Sequence, residues 1–294
     1  MKALHGTGVA LVTPINRNGS VDFKGLERLL KHTAKSVDYY VVMGTTGESA
    51  TLGSEEKRDV LSFVKSHNPK KLPIVYGIGG NNTKEVLQNI KAADLNGVSA
   101  ILSVSPYYNK PSQEGIYLHF KAIAEASPLP IILYNVPGRT ASNIAASTTL
   151  RLSAVHGIIG IKEASGNMEQ CMRIARDKPK DFLLISGDDL LTYSFYAMGG
   201  EGVISVLANA LPEVFKSIKD KARKKDILAA AKEQFRLLDI NGPMYEEGNP
   251  VGVKVLLKHL DICEVHTRLP LAPPSKGLTT NIVACYKLLK NKKG

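Results

Sequence analysis

The chain has 294 residues, 44% hydrophobic and 22% charged, with 38 Lys and Arg against 27 Asp and Glu for a formal charge of +11. This is ordinary for one large folded domain with a barrel-sized core. No apolar run approaches the roughly 20 residues needed to span a bilayer, and the opening MKALHGTGVALVTP lacks the long apolar core of a signal peptide, so a cytoplasmic protein without membrane contact is expected. Cys171, Cys263 and Cys285 are too widely spaced for a CxxC metal pair and read as reduced structural thiols. The positive balance favours anionic ligands and raises the question of nucleic acid. The basic excess sits largely in KSIKDKARKK (216–225) and in KLLKNKK from Lys287, where lysines fall at helical spacing beside apolar positions. With no aromatic interleaving and no zinc-finger spacing, these read as solvated helix faces, and no nucleic-acid partner is expected.

Apolar or β-branched runs recur along the chain at 8–14, 39–44, 73–79, 100–106, 130–137, 157–165, 182–188 and 202–206. Each reads as a buried strand. Segments of helical period lie between them, such as 23–35, with Phe23, Leu26, Leu29 and Leu30 on one face, and 54–67, with Val60, Leu61 and Val64. Ser54 before Glu55 and Glu56 suits a helix cap with an acidic first turn, and Asn82 with Glu85 resembles a capping box. Strand and helix thus alternate about eight times, and the strands are continuous apolar runs, as when both sheet faces are covered. The expected fold is an α/β (β/α)₈ TIM barrel. No GxGxxG follows the first strand, which argues against a dinucleotide-binding sheet. Beyond the eighth strand, 214–238 and 251–260 look helical, Pro212 suits a first turn and 282–289 adds a further helix. The expected division is a barrel over 1–225 and a C-terminal helical region over 226–294 packed on it.

Barrel enzymes react at the C-terminal ends of their strands, so polar residues that end a buried run carry weight. Four such ends stand out: 44–48 (GTTGE), 134–140 (YNVPGRT), 162–166 (KEASG) and 186–189 (SGDD). Lys162 ends a strand, and burial among barrel side chains favours the neutral amine that attacks a ketone. Taken singly, Lys162 reads equally as a lysine paired with Glu163 or reaching to the rim. GTTGES lacks the Gly-Lys-[Ser/Thr] of a P-loop; its two adjacent threonines suit a small carboxylate, or a plain turn. Tyr134 has a hydroxyl able to shuttle a proton if another hydroxyl holds it, although buried tyrosines more often serve packing. Arg139 offers a planar fork for a carboxylate, although most loop arginines sit in solvent.

In order and approximate spacing, GVALVTP, GTTGESATL, SPYYNKPSQEG, YNVPGRT, GIIGIKEASG, SGDD, GVISV and EGNPVGVK together resemble the pyruvate-dependent class I aldolases over nearly the whole chain. The resemblance implies that Lys162 forms an imine with pyruvate, that Tyr134 donates and accepts protons, and that Thr45 links it to Tyr108. In the family the tyrosine matching Tyr108 reaches into a neighbouring subunit's site, so a homo-oligomer is implied, a tetramer built from two dimers. Thr46 would hold the pyruvate carboxylate, and Gly187 and Ile204 would line the pocket through backbone groups. Arg139 would receive the carboxylate of aspartate semialdehyde, placing the reaction at the start of the diaminopimelate and lysine branch. No metal and no organic cofactor is implied, since the lysine supplies the electrophile.

Sialic acid lyases and ketodeoxysugar aldolases share the GxTGE turn and the lysine but typically lack the GRT after YNVP, and they rank second. In lysine-inhibited members the effector sits near the residues here numbered Ser49, Ala50, Ser54, Lys57, Asn81, Glu85 and Tyr107. Ser54 and Lys57 stand where sensitive bacterial members tend to have histidines, and a cationic Lys57 disfavours a second ammonium by on the order of 1 kcal/mol. Weak or absent feedback by lysine is expected.

Overall fold

The computed structural model describes residues 2–291; Met1 and residues 292–294, the extreme ends of the two expected regions, lie outside the described residues. Eight strands, β1 (Gly6–Ala10), β2 (Tyr39–Val42), β3 (Ile74–Gly77), β4 (Ala100–Val104), β5 (Ile131–Asn135), β6 (Ile158–Glu163), β7 (Leu183–Ser186) and β8 (Gly202–Ser205), close into one barrel in chain order. Every pairing is parallel, and β1 closes on β8 through Gly6 opposite Gly202. The strands are buried almost throughout, which is why they read as unbroken apolar runs.

Two apolar clusters follow from the alternation of side chains across the sheet. One fills the barrel with Ala10, Tyr39, Val41, Val75, Leu102, Ile132, Tyr134, Ile185 and Ile204. The other lies between strands and surrounding helices and includes Val9, Tyr40, Ile101, Leu133, Ile161 and Leu184. A Cβ on Gly8 would lie 2.2 Å from the Tyr39 ring, so glycine here lets that ring fill the barrel interior.

Several boundaries differ from the sequence reading for local reasons. The first strand is Gly6–Ala10 and not 8–14, because the chain leaves the sheet towards Pro14, which has no N–H to give. Helix Phe23–Thr33 begins at an Asp22 cap that accepts from Gly25 N at 2.9 Å. Ser54 is not a cap: Gly53 takes that position, and the Glu56 carboxylate accepts from Gly53 N at 2.9 Å. Asn82 caps helix Thr83–Ala92 through Lys84 N at 3.2 Å. The stretch 214–238 is not one helix but Pro212–Arg223 and Ile227–Phe235, continued by a short Leu238–Asn241. It breaks at Lys225, whose φ of 61° is left-handed, and restarts at Asp226, which caps the second helix through Ala229 N. Val251–His259 matches its expected span closely, and the last helix, Lys276–Asn291, starts earlier than expected.

The basic run at 216–225 is less solvated than its pattern suggests. Lys219 is buried and bonds both Asp38 carboxylate oxygens at 2.8 Å, Lys216 pairs with Asp220 and Lys221 with Glu233. Cys171 and Cys263 are buried and free, and burial pushes both thiols up to about 12. No helix among the described residues is long and apolar enough to cross a membrane.

Candidate active site

Adjacent strands β5 and β6 pair Tyr134 with Lys162 and Asn135 with Glu163. Alternation turns the first pair into the barrel and the second towards the helices. Lys162 is 6% exposed, and its Nζ lies 4.4 Å from the centroid of the Tyr134 ring, which is itself buried. The alternative pairing of Lys162 with Glu163 does not form. The Glu163 carboxylate instead accepts from Asn135 Nδ2 at 3.1 and 2.9 Å, Gln170 Nε2 at 2.9 Å and Ser165 N at 2.7 Å. The Lys162 amine is thus left facing an aromatic ring, with no carboxylate bound to it among the described residues.

Gly187, just past β7, gives this amine its room. Its N–H donates to Glu163 O at 2.7 Å, and a Cβ at this position would lie 2.5 Å from Ala164 Cβ and 3.0 Å from Lys162 Cε. Gly187→Ala should therefore push the lysine stem aside and lower turnover by roughly 5- to 150-fold, the scale of overpacking by about 1–3 kcal/mol. Steady-state kinetics beside a melting curve would check this; unchanged turnover would show that the lysine tolerates displacement. Ile204 is fully buried on β8, in the same interior cluster as Tyr134. Asp189, the last residue of SGDD, ties the loops after β7 and β8 together by accepting from Val206 N at 3.2 Å and Leu207 N at 2.8 Å. Burial pushes its carboxyl up to about 6 in spite of these bonds.

GTTGE forms a turn of 3-10 helix, Thr45–Gly47, after β2. The amides of Thr45 and Thr46 open this turn and so lack acceptors within it. Thr46 is 3% exposed and Thr45 is exposed. The turn is fastened from behind. Thr13 Oγ1 donates to Gly47 O at 2.7 Å, and Glu48, left-handed at φ 54°, sends its carboxylate inward to Lys254 Nζ at 2.5 Å. Both of those side chains are fully buried, and Lys254 also donates to His266 O at 2.8 Å. Burial pulls the Lys254 ammonium below its usual value against the opposing pull of Glu48. Arg268 completes the fastening: its N–H donates to Glu48 Oε2 at 3.0 Å, and its guanidinium bonds Glu56, Thr51 O and Gly19 O. Lys254 and Asn249 lie in EGNPVGVK, yet the pattern assigned them no role; Arg268 carries no local signal at all.

Two expected site residues stand apart. Arg139 is exposed on the short helix Pro137–Thr140, where no carboxylate pairs with it among the described residues. Tyr108 is 88% exposed at φ 72°, its loop held by Asn81 Nδ2 donating to Tyr107 O at 3.0 Å. No hydrogen bond within this chain joins Thr45 to Tyr134 or to Tyr108 among the described residues. No group of three or more His, Cys, Asp or Glu side chains among them is placed to hold a metal ion.

The closed parallel barrel thus sets a buried lysine and a buried tyrosine side by side at the ends of adjacent strands, where barrel enzymes carry their reactive groups. Residues 3–288 match the Dihydrodipicolinate synthetase family, and the chain belongs to it. A Cytophaga hutchinsonii protein named 4-hydroxy-tetrahydrodipicolinate synthase is 49% identical over 283 residues, covering 96% of this chain and 95% of that one. A Flavobacterium psychrophilum protein of the same name is 47% identical, with 96% and 97% covered. Among solved structures, the chloride-inhibited dihydrodipicolinate synthase from Acinetobacter baumannii complexed with pyruvate is similar at a TM-score of 0.94 and 36% identity, covering 98% of this chain and 99% of that one.

Proposed function

We propose that the protein condenses pyruvate with L-aspartate 4-semialdehyde, the 4-hydroxy-tetrahydrodipicolinate synthase reaction, through a Schiff base on Lys162. The observation that carries this reading is the Lys162 amine, buried, unclaimed by Glu163 and set 4.4 Å over the Tyr134 ring. The amine attacks the pyruvate ketone and loses water to give a protonated imine, an electron sink that acidifies the neighbouring methyl group. Tyr134 carries protons to and from these atoms, and the resulting enamine carbon adds to the aldehyde. Thr46 and the amides opening its turn receive the pyruvate carboxylate, and Gly187 and Ile204 line the pocket. Arg139, exposed and without a carboxylate partner among the described residues, receives the carboxylate of the semialdehyde.

Thr45 relays protons between Tyr134 and a Tyr108 contributed by a neighbouring subunit. The 88% exposure of Tyr108 on a loop held by Asn81 supports this arrangement. The working form is then a homo-oligomer, a tetramer of two dimers, in the cytoplasm and with no metal or organic cofactor. The division at residue 225 belongs to the same proposal: the region beyond it serves the barrel by fastening the GTTGE turn through Lys254 and Arg268.

Pyruvate consumption with aspartate semialdehyde, measured against N-acetylmannosamine and glyceraldehyde, tests the reading. Strong preference for the semialdehyde is expected; turnover with the sugar aldehydes alone would move the protein to the lyase branch and reassign Arg139. Inhibition by L-lysine should be weak, because the half-buried Lys57 opposes a second ammonium. A submillimolar inhibition constant would overturn that expectation.

A further inference from the structure

We infer that Asn249 sets the direction of the Thr46 hydroxyl, so that its single proton is offered to the carboxylate of pyruvate. Asn249 is 6% exposed and lies 203 residues further along the chain, yet its Nδ2 donates to Thr46 Oγ1 at 2.9 Å. A threonine hydroxyl has one proton and can accept through its lone pairs. With Asn249 donating to the oxygen, the proton must point elsewhere, and among the described residues Thr46 donates to no group. A buried hydroxyl with an unspent proton is costly unless a ligand takes it, and an anion takes it best.

The Asn249 amide oxygen, Oδ1, has no hydrogen-bond partner among the described residues. Asn249 is thus a positioning residue: it acts on the substrate only through Thr46. It is also how the C-terminal region reaches the site, from the loop between helices Pro243–Glu246 and Val251–His259.

The inference rests on the reading of Thr46 as the carboxylate ligand, and two variants of Asn249 separate it from simple packing. Asn249→Asp has nearly the same shape, but its carboxylate accepts the Thr46 proton, reversing the bond and placing a negative charge beside the substrate anion. Asn249→Ala removes the constraint and leaves the hydroxyl free to turn. The KM for pyruvate should rise about tenfold or more in Asn249→Asp and only about threefold in Asn249→Ala, with kcat changed less than KM in both. A packing role predicts the reverse order, since Ala leaves the larger void.

Thr46→Val should itself raise the KM about tenfold, and adding Asn249→Asp should raise it little further. A KM within twofold of the parent in Asn249→Asp, Ala worse than Asp, or effects that multiply in the double variant would each overturn the inference while leaving Thr46 in place. An unchanged KM in Thr46→Val would remove the carboxylate reading of Thr46 and the inference with it, whereas Schiff-base trapping on Lys162 would stand. Should melting curves show that Asn249→Asp does not fold, coupling between Asn249→Ala and Thr46→Val decides the matter by the same criterion.

Discussion

Lys162→Ala should lose all borohydride trapping with pyruvate and at least about 10³-fold in turnover, while keeping its fold. The fold should survive because Lys162 has no ionic partner among the described residues: truncating it strands no buried counter-charge, unlike the removal of Lys254 from beneath Glu48. What is lost is a stem packed beside Gly187 and over the Tyr134 ring. Mass spectrometry after reduction would show one pyruvate adduct on the parent protein and none on the variant. An adduct on Lys162→Ala would mean that another amine is the nucleophile. The other lysines drawn into the structure make poor substitutes, since Lys219 and Lys254 are both held by carboxylates.

Tyr134→Phe should lower turnover by roughly 10²- to 10⁴-fold, the range for a lost general acid-base group. The substitution is a clean one because the buried ring stays to pack inside the barrel and to face the Lys162 amine, and only the hydroxyl goes. Pyruvate should still be trapped on Lys162, more slowly, so the defect should fall on proton movement and not on the presence of the amine. Rapid-quench trapping beside steady-state rates separates the two. An undiminished rate would take Tyr134 out of the mechanism and leave it as a packing residue.

Lys162 and Tyr134 were legible as site residues because each ends an apolar run, and in a barrel the strand ends are where polar side chains can face a reactive space. Thr46 was legible only as one of two threonines in a turn that could equally have been inert. The parts that hold the site were not legible. Lys254 and Glu48 are 206 positions apart, Arg268 and Glu56 212, and Thr46 and Asn249 203, and no local pattern couples residues at such separations. Lys219 misled for the opposite reason: its neighbours have the spacing of a solvated face, but its own side chain reaches Asp38 against the barrel.

By itself the sequence determined the alternation of buried strands and amphipathic helices, and with it the barrel, because burial of both sheet faces forces apolar runs and helix packing forces the 3.6-residue period. It also determined which polar residues end those runs. Tertiary structure alone decided that Lys162 lies over Tyr134 and not against Glu163, because Asn135, Gln170 and the Ser165 amide satisfy that carboxylate first. It likewise decided that Glu48 is sealed by Lys254 and that Thr46 is addressed by Asn249. Hydrogen bonds and ion pairs of this kind depend on distances of about 3 Å, which barrel closure sets and sequence spacing does not encode.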